Sequence, residues 1–496
     1  MYWANFIHIY QPAEQQPDIL ESIVAQSYRP ILARLKKEKR VRLTLNVNGA
    51  LLELFDKYGY RDLIDDMRTL GREGRVEFTS SAKYHAFLPF LEEDEIIRQI
   101  KINNETNRFF LGDVYEPQGF FPPEMAYDPK LAPIIEGLGF KWIILDEIAA
   151  TGAPGHVDYT KLHRIKSSKL LVFFRERRLS NLIMSAVVRS AETLEASMRE
   201  DLERGRYLVT AMDGETFGHH RPGLEKLLFE VFSSQKFELI KISEISEHFN
   251  EIVTLSPIKS TWASSKEDIE KGIQFLSWSD PENAIHKWQC ELVKIVLDEV
   301  YAMEKSSPYY ELVRKKMDVA LASDHFWWAS AKPWWSMEMI EDGSFRLLDT
   351  LRTIPVVGKE KLARAANLYE KIVSTGFNWQ RTGKIREMMR EQRSILRIPF
   401  KSRTLGRTGA ENVYYAFLKM MGDLEKKAAK SAEYEKAILW RDAIYKLKHK
   451  LDIYDTMNAI DLVRVEIPHD EVEKTIIEYE EKYRRMRGGQ PEQRGA

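Results

Sequence analysis

Cysteine is almost missing from this chain: Cys290 is the single one in 496 residues. One thiol can form neither an intramolecular disulfide nor a cysteine-built zinc cluster. Within the helical pattern HKWQCELVKIV it reads as a small buried hydrophobe. Long apolar runs are missing too, since no stretch approaches the length of a membrane span. The opening MYWANFIHIYQP has no basic region followed by an apolar stretch and a small-residue cleavage site, so the cytoplasm is the expected address. Nor is there an excess of charge: 74 Lys and Arg stand against 75 Asp and Glu. That balance supplies no field for nucleic acid or an anionic membrane, and neither is an expected partner. No repeat is visible, and the closing GGQPEQRGA, residues 488–496, is expected to be a disordered tail. Nothing in the sequence fixes the oligomeric state.

What the first half does have is alternation. ANFIHIY, RLTLNVNG, RVEFTSS, QGFF, KWIILDE, KLLVFF and RYLVTAMDG are rich in β-branched and aromatic residues and read as seven strands. Stretches such as PDILESIVAQSYRPILARLKKE and LEEDEIIRQIKINNETNRFFLG lie between them, with apolar residues three and four apart, as amphipathic helices require. Repeated strand and helix units imply an α/β fold with parallel strands, and a parallel sheet of this length closes readily into a TIM-like barrel. The expected divisions are a (β/α)7 barrel over 1–255 and a linker with helices completing the cleft over 256–340. A C-terminal α-helical domain over 341–487 follows, in which KSRTLGRTG, 401–409, reads as an exposed basic loop.

In such a barrel the side chains just beyond the C-terminal ends of the strands converge on one face. Taken strand by strand, the candidates are His8 and Gln11, then Asn46 and Asn48, then Glu77, Ser81 and His85. Glu124, the pair Asp146 and Glu147, Arg175, and the pair Asp213 and Glu215 complete the set. An isolated carboxylate at such a position commonly serves as a cap or ion-pair partner. Two stand out. Glu124 lies in FFPPEMAY, behind rigid prolines and aromatic walls; Asp213 lies in AMDGETFGHH, framed by Gly214 and Gly218, which permit tight turns and close approach. Two carboxylates on one barrel face suit glycoside cleavage, where one attacks or stabilises the sugar and the other shuttles the proton.

Five separated motifs then resemble those of glycoside hydrolase family 57, retaining enzymes acting on α-glucans. HIYQP (8–12) resembles the family's H-x-H-Q-P, GRVE (74–77) its G-x-V-E, FFPPEMAY (120–127) its nucleophile motif, MDGETFG (212–218) its acid/base motif, and SDHFWW (323–328) its D-x-x-W motif. The resemblance implies an incomplete (β/α)7 barrel followed by helices, with Glu124 as nucleophile and Asp213 as general acid/base. It places His8, Glu77, Glu215 and Asp324 at the cleaved sugar of an α-glucan or maltooligosaccharide; Gln11, Phe121 and Trp327 are further expected substrate contacts, and no cofactor or metal is expected. Its charged Glu124 is expected to be sustained by polar neighbours and by the sugar cation. The chain departs from the motifs at Tyr10, where a second His is usual, and at Phe121, where a Trp is usual; Pro122 is also unusual.

Blander roles stand beside these. His8 and His85 can be hydrogen-bonded core residues, Trp327 core material, and His219 and His220 surface or sugar-contacting side chains. Within the enzyme reading, α-amylase-like hydrolysis leads, with 4-α-glucanotransfer or branching as the alternative, because all begin with the same glycosyl transfer to Glu124. A metal-dependent polysaccharide deacetylase on a related barrel would need spaced histidines, and no H-x-x-x-H pair occurs. A non-catalytic glucan-binding protein would have no need of both carboxylates.

Overall fold

The computed structural model describes residues 1–186, 188–198, 205–332, 334–391, 411–449, 459–460, 462–463 and 466–487. The basic loop at 401–409 and the tail at 488–496 lie outside them. Two compact units emerge, Met1–His220 with Leu224–Met389, and Arg221–Gly223 with Arg390–Ala496. Among the described residues no helix is long and apolar enough to cross a membrane.

The first unit holds ten strands: β1 (Tyr2–Ile9), β2 (Leu43–Val47), β3 (Val76–Thr79), β4 (Gly119–Phe120), β5 (Trp142–Asp146), β6 (Leu162–Ile165), β7 (Leu171–Arg175), β8 (Tyr207–Asp213), β9 (Glu238–Ile240) and β10 (Ile252–Leu255). They form two sheets. One runs β3-β2-β1-β8 with β9 also paired to β1, and the other runs β10-β6-β7-β5-β4. β1 is buried from Trp3 to Ile9 and β2 throughout, as apolar runs flanked by helices on both faces should be. The helix Arg61–Arg72 shows the complementary pattern, burying Leu63, Ile64, Met67 and Leu70 along one side.

All seven strands read from the sequence are present, and the ladders among them are parallel. They do not form one continuous ladder. β3 meets β4 through a bridge between Ser80 and Phe120, and β7 meets β8 where the Glu176 N–H donates to the Val209 carbonyl over 2.8 Å. The strands expected to form an incomplete barrel thus lie in two sheets joined by two thin seams. β4 is short because Gly119 lies under the Trp142 indole, where any Cβ would come within 2.2 Å of the ring. Three strands went unread: β6, antiparallel to β7, β9, and β10, which is largely exposed. They are three or four residues long and lack a full hydrophobic alternation.

Beyond β10 the first unit is helical, with long helices Ala284–Ala302, Tyr310–Ala320, Met337–Thr353 and Lys359–Thr382. A buried ionic cluster ties this region to the strand-bearing part: Arg314 donates to Glu95 over 2.8 Å and to Asp318 over 3.0 Å, and Arg98 to Asp318 over 2.7 Å. The second unit contains helices Glu411–Lys430, Tyr434–His449 and His469–Arg487, around a core of Phe417, Met421, Trp440 and Val472.

Candidate active site

Strand register sets the site's level. His8 on β1 is opposite Asn46 on β2 and Asp213 on β8, and Asn46 is opposite Thr79 on β3. His8 Nδ1 and Asn46 Oδ1 are 2.8 Å apart. Burial lowers the His8 imidazole to about 4, against the opposing bond to Asn46, so the ring is neutral at physiological pH.

Glu124 enters from the turn after β4. Pro122 and Pro123 fix the approach, and Glu124 itself has φ 62, a left-handed conformation that a non-glycine residue adopts at a cost of about 1 kcal/mol or more. Residues 124–127 are secured by a neighbouring segment. Trp262 N–H donates to the Glu124 carbonyl over 3.2 Å, and Tyr127 exchanges backbone bonds of 2.8 and 3.2 Å with Ser260. The Trp262 indole Nε1 also donates to Glu124 Oε2 over 2.8 Å. His85 Nδ1 lies 3.7 Å from Glu124 Oε1 and 3.1 Å from Ser323 Oγ. Burial, reinforced by the negative charges of Asp213 and Asp324, pushes the Glu124 carboxyl up to about 8, and the Trp262 bond opposes the shift. The polar neighbours expected to sustain its charge are thus opposed by burial and by two nearby carboxylates.

Asp213 closes β8. Burial raises its proton affinity, and the positive charge of Arg175 works the other way. The loop after it is braced by an unusual element. Between helices Pro17–Ile23 and Arg29–Lys37 the chain makes a π-helical turn, Val24–Tyr28, in which the Arg29 N–H reaches the Val24 carbonyl. Pro30 has no N–H for the Gln26 carbonyl, which is why the α-helical ladder opens here. Three successive side chains of the turn then hold the Asp213 loop. Gln26 Oε1 meets His219 Nδ1 at 2.8 Å, Ser27 Oγ donates to the Gly214 carbonyl over 2.7 Å, and the Tyr28 hydroxyl donates to Glu215 Oε1. Gly218, at φ +105, packs so tightly on the Gln26 carbonyl that a Cβ would sit 2.0 Å from it. Gln11 Nε2 donates to the same Glu215 oxygen over 2.8 Å. Burial and the charge of Asp213 push Glu215 up, against these two bonds.

Asp324 begins the helix Asp324–Trp327 and accepts from the Tyr10 hydroxyl over 2.9 Å; burial raises it to about 6. Tyr10 stacks on His85 with ring centroids 4.3 Å apart. The phenol standing where a second histidine is usual thus joins β1 to Asp324.

Two expected residues do not reach this cluster. Glu77 is paired with Thr44, two residues before Thr79 on β3 and so about 7 Å further down the sheet. Its carboxylate accepts from Thr44 Oγ1 over 2.6 Å and from the Ser243 N–H over 3.1 Å, a tie between β3 and the segment after β9. Phe121 is fully buried, packing behind His8 at 4.7 Å and beside Trp262 at 6.0 Å between centroids, so it backs the site and offers no open face to a sugar. Trp327 is half-buried, 4.9 Å from the rings of both Trp328 and Trp334. Among the described residues no group of three His, Cys, Asp or Glu side chains is disposed to hold a metal ion.

The order of these residues along the chain matches a known pattern: the sequence model of Glycosyl hydrolase family 57 matches residues 4–257. The chain belongs to glycosyl hydrolase family 57. This family 57 protein is 26% identical over 262 residues to an α-amylase of Pyrococcus horikoshii, and 24% identical over 265 residues to a 4-α-glucanotransferase of Thermococcus kodakarensis. The matches take in 49% and 50% of the chain and 40% of each relative, so the family 57 chain spans less than half the length of these curated relatives. Its fold is shared with the crystal structure of a family 57 branching enzyme from Thermococcus kodakaraensis, at TM-score 0.54 and 17% identity, over 78% of this chain and 94% of that one.

Proposed function

We propose that this chain is a retaining glycoside hydrolase on α-glucans, with 4-α-glucanotransfer or branching as the alternative outcome of the same first step. What supports the reading is that Glu124 and Asp213 follow the C-terminal ends of β4 and β8, in different sheets, near enough for the charge of Asp213 to raise the proton affinity of Glu124. The names of its relatives, α-amylase and 4-α-glucanotransferase, support the substrate class.

In this scheme Asp213, protonated, donates to the glycosidic oxygen as Glu124 attacks the anomeric carbon and forms a glycosyl ester. Asp213 then removes a proton from water, or from a sugar hydroxyl in transfer, and the ester is displaced with net retention. The productive ionisation has its charge on Glu124 and its proton on Asp213. Positive charge developing on the sugar favours that arrangement, and the Trp262 N–H is already aimed at the nucleophile's oxygen. Glu215, Asp324 and His8 are proposed to contact the cleaved sugar, with Gln11 orienting Glu215; Trp327 is proposed as a stacking platform.

A panel of α-glucans tests the proposal. Glu124→Ala and Asp213→Ala should each lose turnover by about 10³-fold or more while keeping the wild-type fold by circular dichroism. Net gain of reducing ends marks hydrolysis, and redistribution of chain lengths without that gain marks transfer. Full turnover by either variant would refute the assignment.

A further inference from the structure

The backbone of the Trp262 segment is held by a network that the catalytic scheme does not use. Arg177, just beyond β7, donates from Nη2 to the Trp262 carbonyl over 3.0 Å and from Nη1 to the Ser264 carbonyl over 2.7 Å. Its Nε donates to Asp146 Oδ1 over 2.8 Å. The other oxygen of Asp146 accepts from Arg175 Nη1 over 2.8 Å, and Arg175 Nε donates to the Ala211 carbonyl, two residues before Asp213. The Asp146 side chain is wholly buried. One carboxylate at the end of β5 therefore holds two guanidinium groups, one bound to the strand that ends in Asp213 and the other to the segment whose Trp262 donates to Glu124. The backbone carbonyls these guanidinium groups reach lie on the segment bonded to Glu124 and on the strand that ends in Asp213, while Arg175 Nη2 donates to Asn181 Oδ1 over 2.8 Å.

We propose that Arg177, fixed by Asp146, is a positioning residue for Glu124: it pins the backbone of Trp262 so that the indole N–H stays on the nucleophile's carboxylate. The proposal rests on the nucleophile reading of Glu124. Guanidinium geometry suits the task, because a planar fork can reach two successive carbonyls and a carboxylate at once, whereas an ammonium cannot hold all three directions. With the grip loosened, the Trp262 carbonyl moves, the indole bond lengthens, and the charged form of Glu124 loses its one hydrogen-bond donor. The groups that face Glu124 from its other sides are Tyr10 after β1, whose hydroxyl is given to Asp324, His85 after β3, Asp213 on β8 and Asp324 at the head of its helix, and none of them replaces the donor to Oε2.

Arg177→Lys and Trp262→Phe, alone and combined, are assayed on maltoheptaose across pH, with Glu124→Ala in parallel. Losing a donor to the charged form raises the proton affinity of Glu124, so the acidic limb of kcat/KM moves to higher pH. Each single variant should shift that limb by about half a unit or more and lower kcat/KM at pH 6 by about tenfold, with KM changed less than kcat. The double variant should match Trp262→Phe, because both act through one bond. An unmoved limb in Arg177→Lys, or additive losses in the double variant, would overturn the proposal while leaving the nucleophile reading intact. Turnover by Glu124→Ala would overturn both. Should Arg177→Lys fold poorly, Arg177→Gln, judged by the same limb shift against Trp262→Phe, decides in its place.

Discussion

Glu124 carries its carboxyl in a buried place beside Asp213 and Asp324, so the folded chain binds that proton more tightly than the unfolded chain does. The sign of the consequence follows directly. Below the ordinary carboxyl value of 4.5 the group is neutral in both states; as pH rises towards about 8 the unfolded chain ionises first and the folded state loses stability relative to a neutral residue. Glu124→Gln should therefore melt higher than wild type at pH 8, by about 1 kcal/mol or more in stability, and the gain should vanish near pH 4. Melting curves across that range check it, and a constant difference at all pH values would contradict the assigned burial. On the proposed mechanism the charge that the reaction needs on Glu124 is the form that burial disfavours. The same residue shows what sequence can reveal about a site. Glu124, Asp213, Glu215 and Asp324 were legible because each sits in a short motif or directly after a strand. Trp262 and the bond between Tyr10 and Asp324 were not, because they join positions 138 and 314 residues apart through irregular loops, where periodicity carries no signal. Glu77 and Phe121 misled for a different reason: a motif says which residues occur together, whereas strand register and depth decide where each side chain ends up.

At the scale of elements, the π-helical turn Val24–Tyr28 and the loop beginning at Asp213 form one unit, in which the helical run Pro17–Lys37 holds the loop of the proposed acid/base. The turn could not be read from amphipathic spacing, since apolar residues run through it at helical intervals; only Pro30 marks where the hydrogen-bond ladder must open. Gly218 is the tightest joint. An alanine there would meet both a positive φ and a carbonyl at 2.0 Å. Gly218→Ala should cost about 1 to 3 kcal/mol of stability by urea titration and lower kcat more than tenfold, by displacing Asp213 and Glu215 together. Unchanged kcat with reduced stability would mean that the loop reseats itself without the turn. The strands tell a similar story of partial legibility. Seven declared themselves by β-branched and aromatic runs, while β6, β9 and β10 were too short, and β10 too exposed, to show a pattern.

Across the first unit the backbone joins β3 to β4 at the Ser80 to Phe120 bridge and β7 to β8 at the bond from Glu176 to Val209, without a continuous ladder at either place. Amides in such places exchange through small local openings, whereas those of a central ladder need larger ones. Hydrogen exchange should therefore protect the β1–β2 amides by about tenfold or more over the Glu176 and Phe121 amides. Equal protection would mean that the seams are as firmly closed as the ladders. The division also gives the two carboxyls different carriers, since Glu124 follows β4 in one sheet and Asp213 ends β8 in the other. On the proposed reading the two carboxyls thus reach the sugar from different sheets, and their spacing is set where the sheets meet and not by either ladder alone. A sugar seated between them would then act as a wedge across the seams.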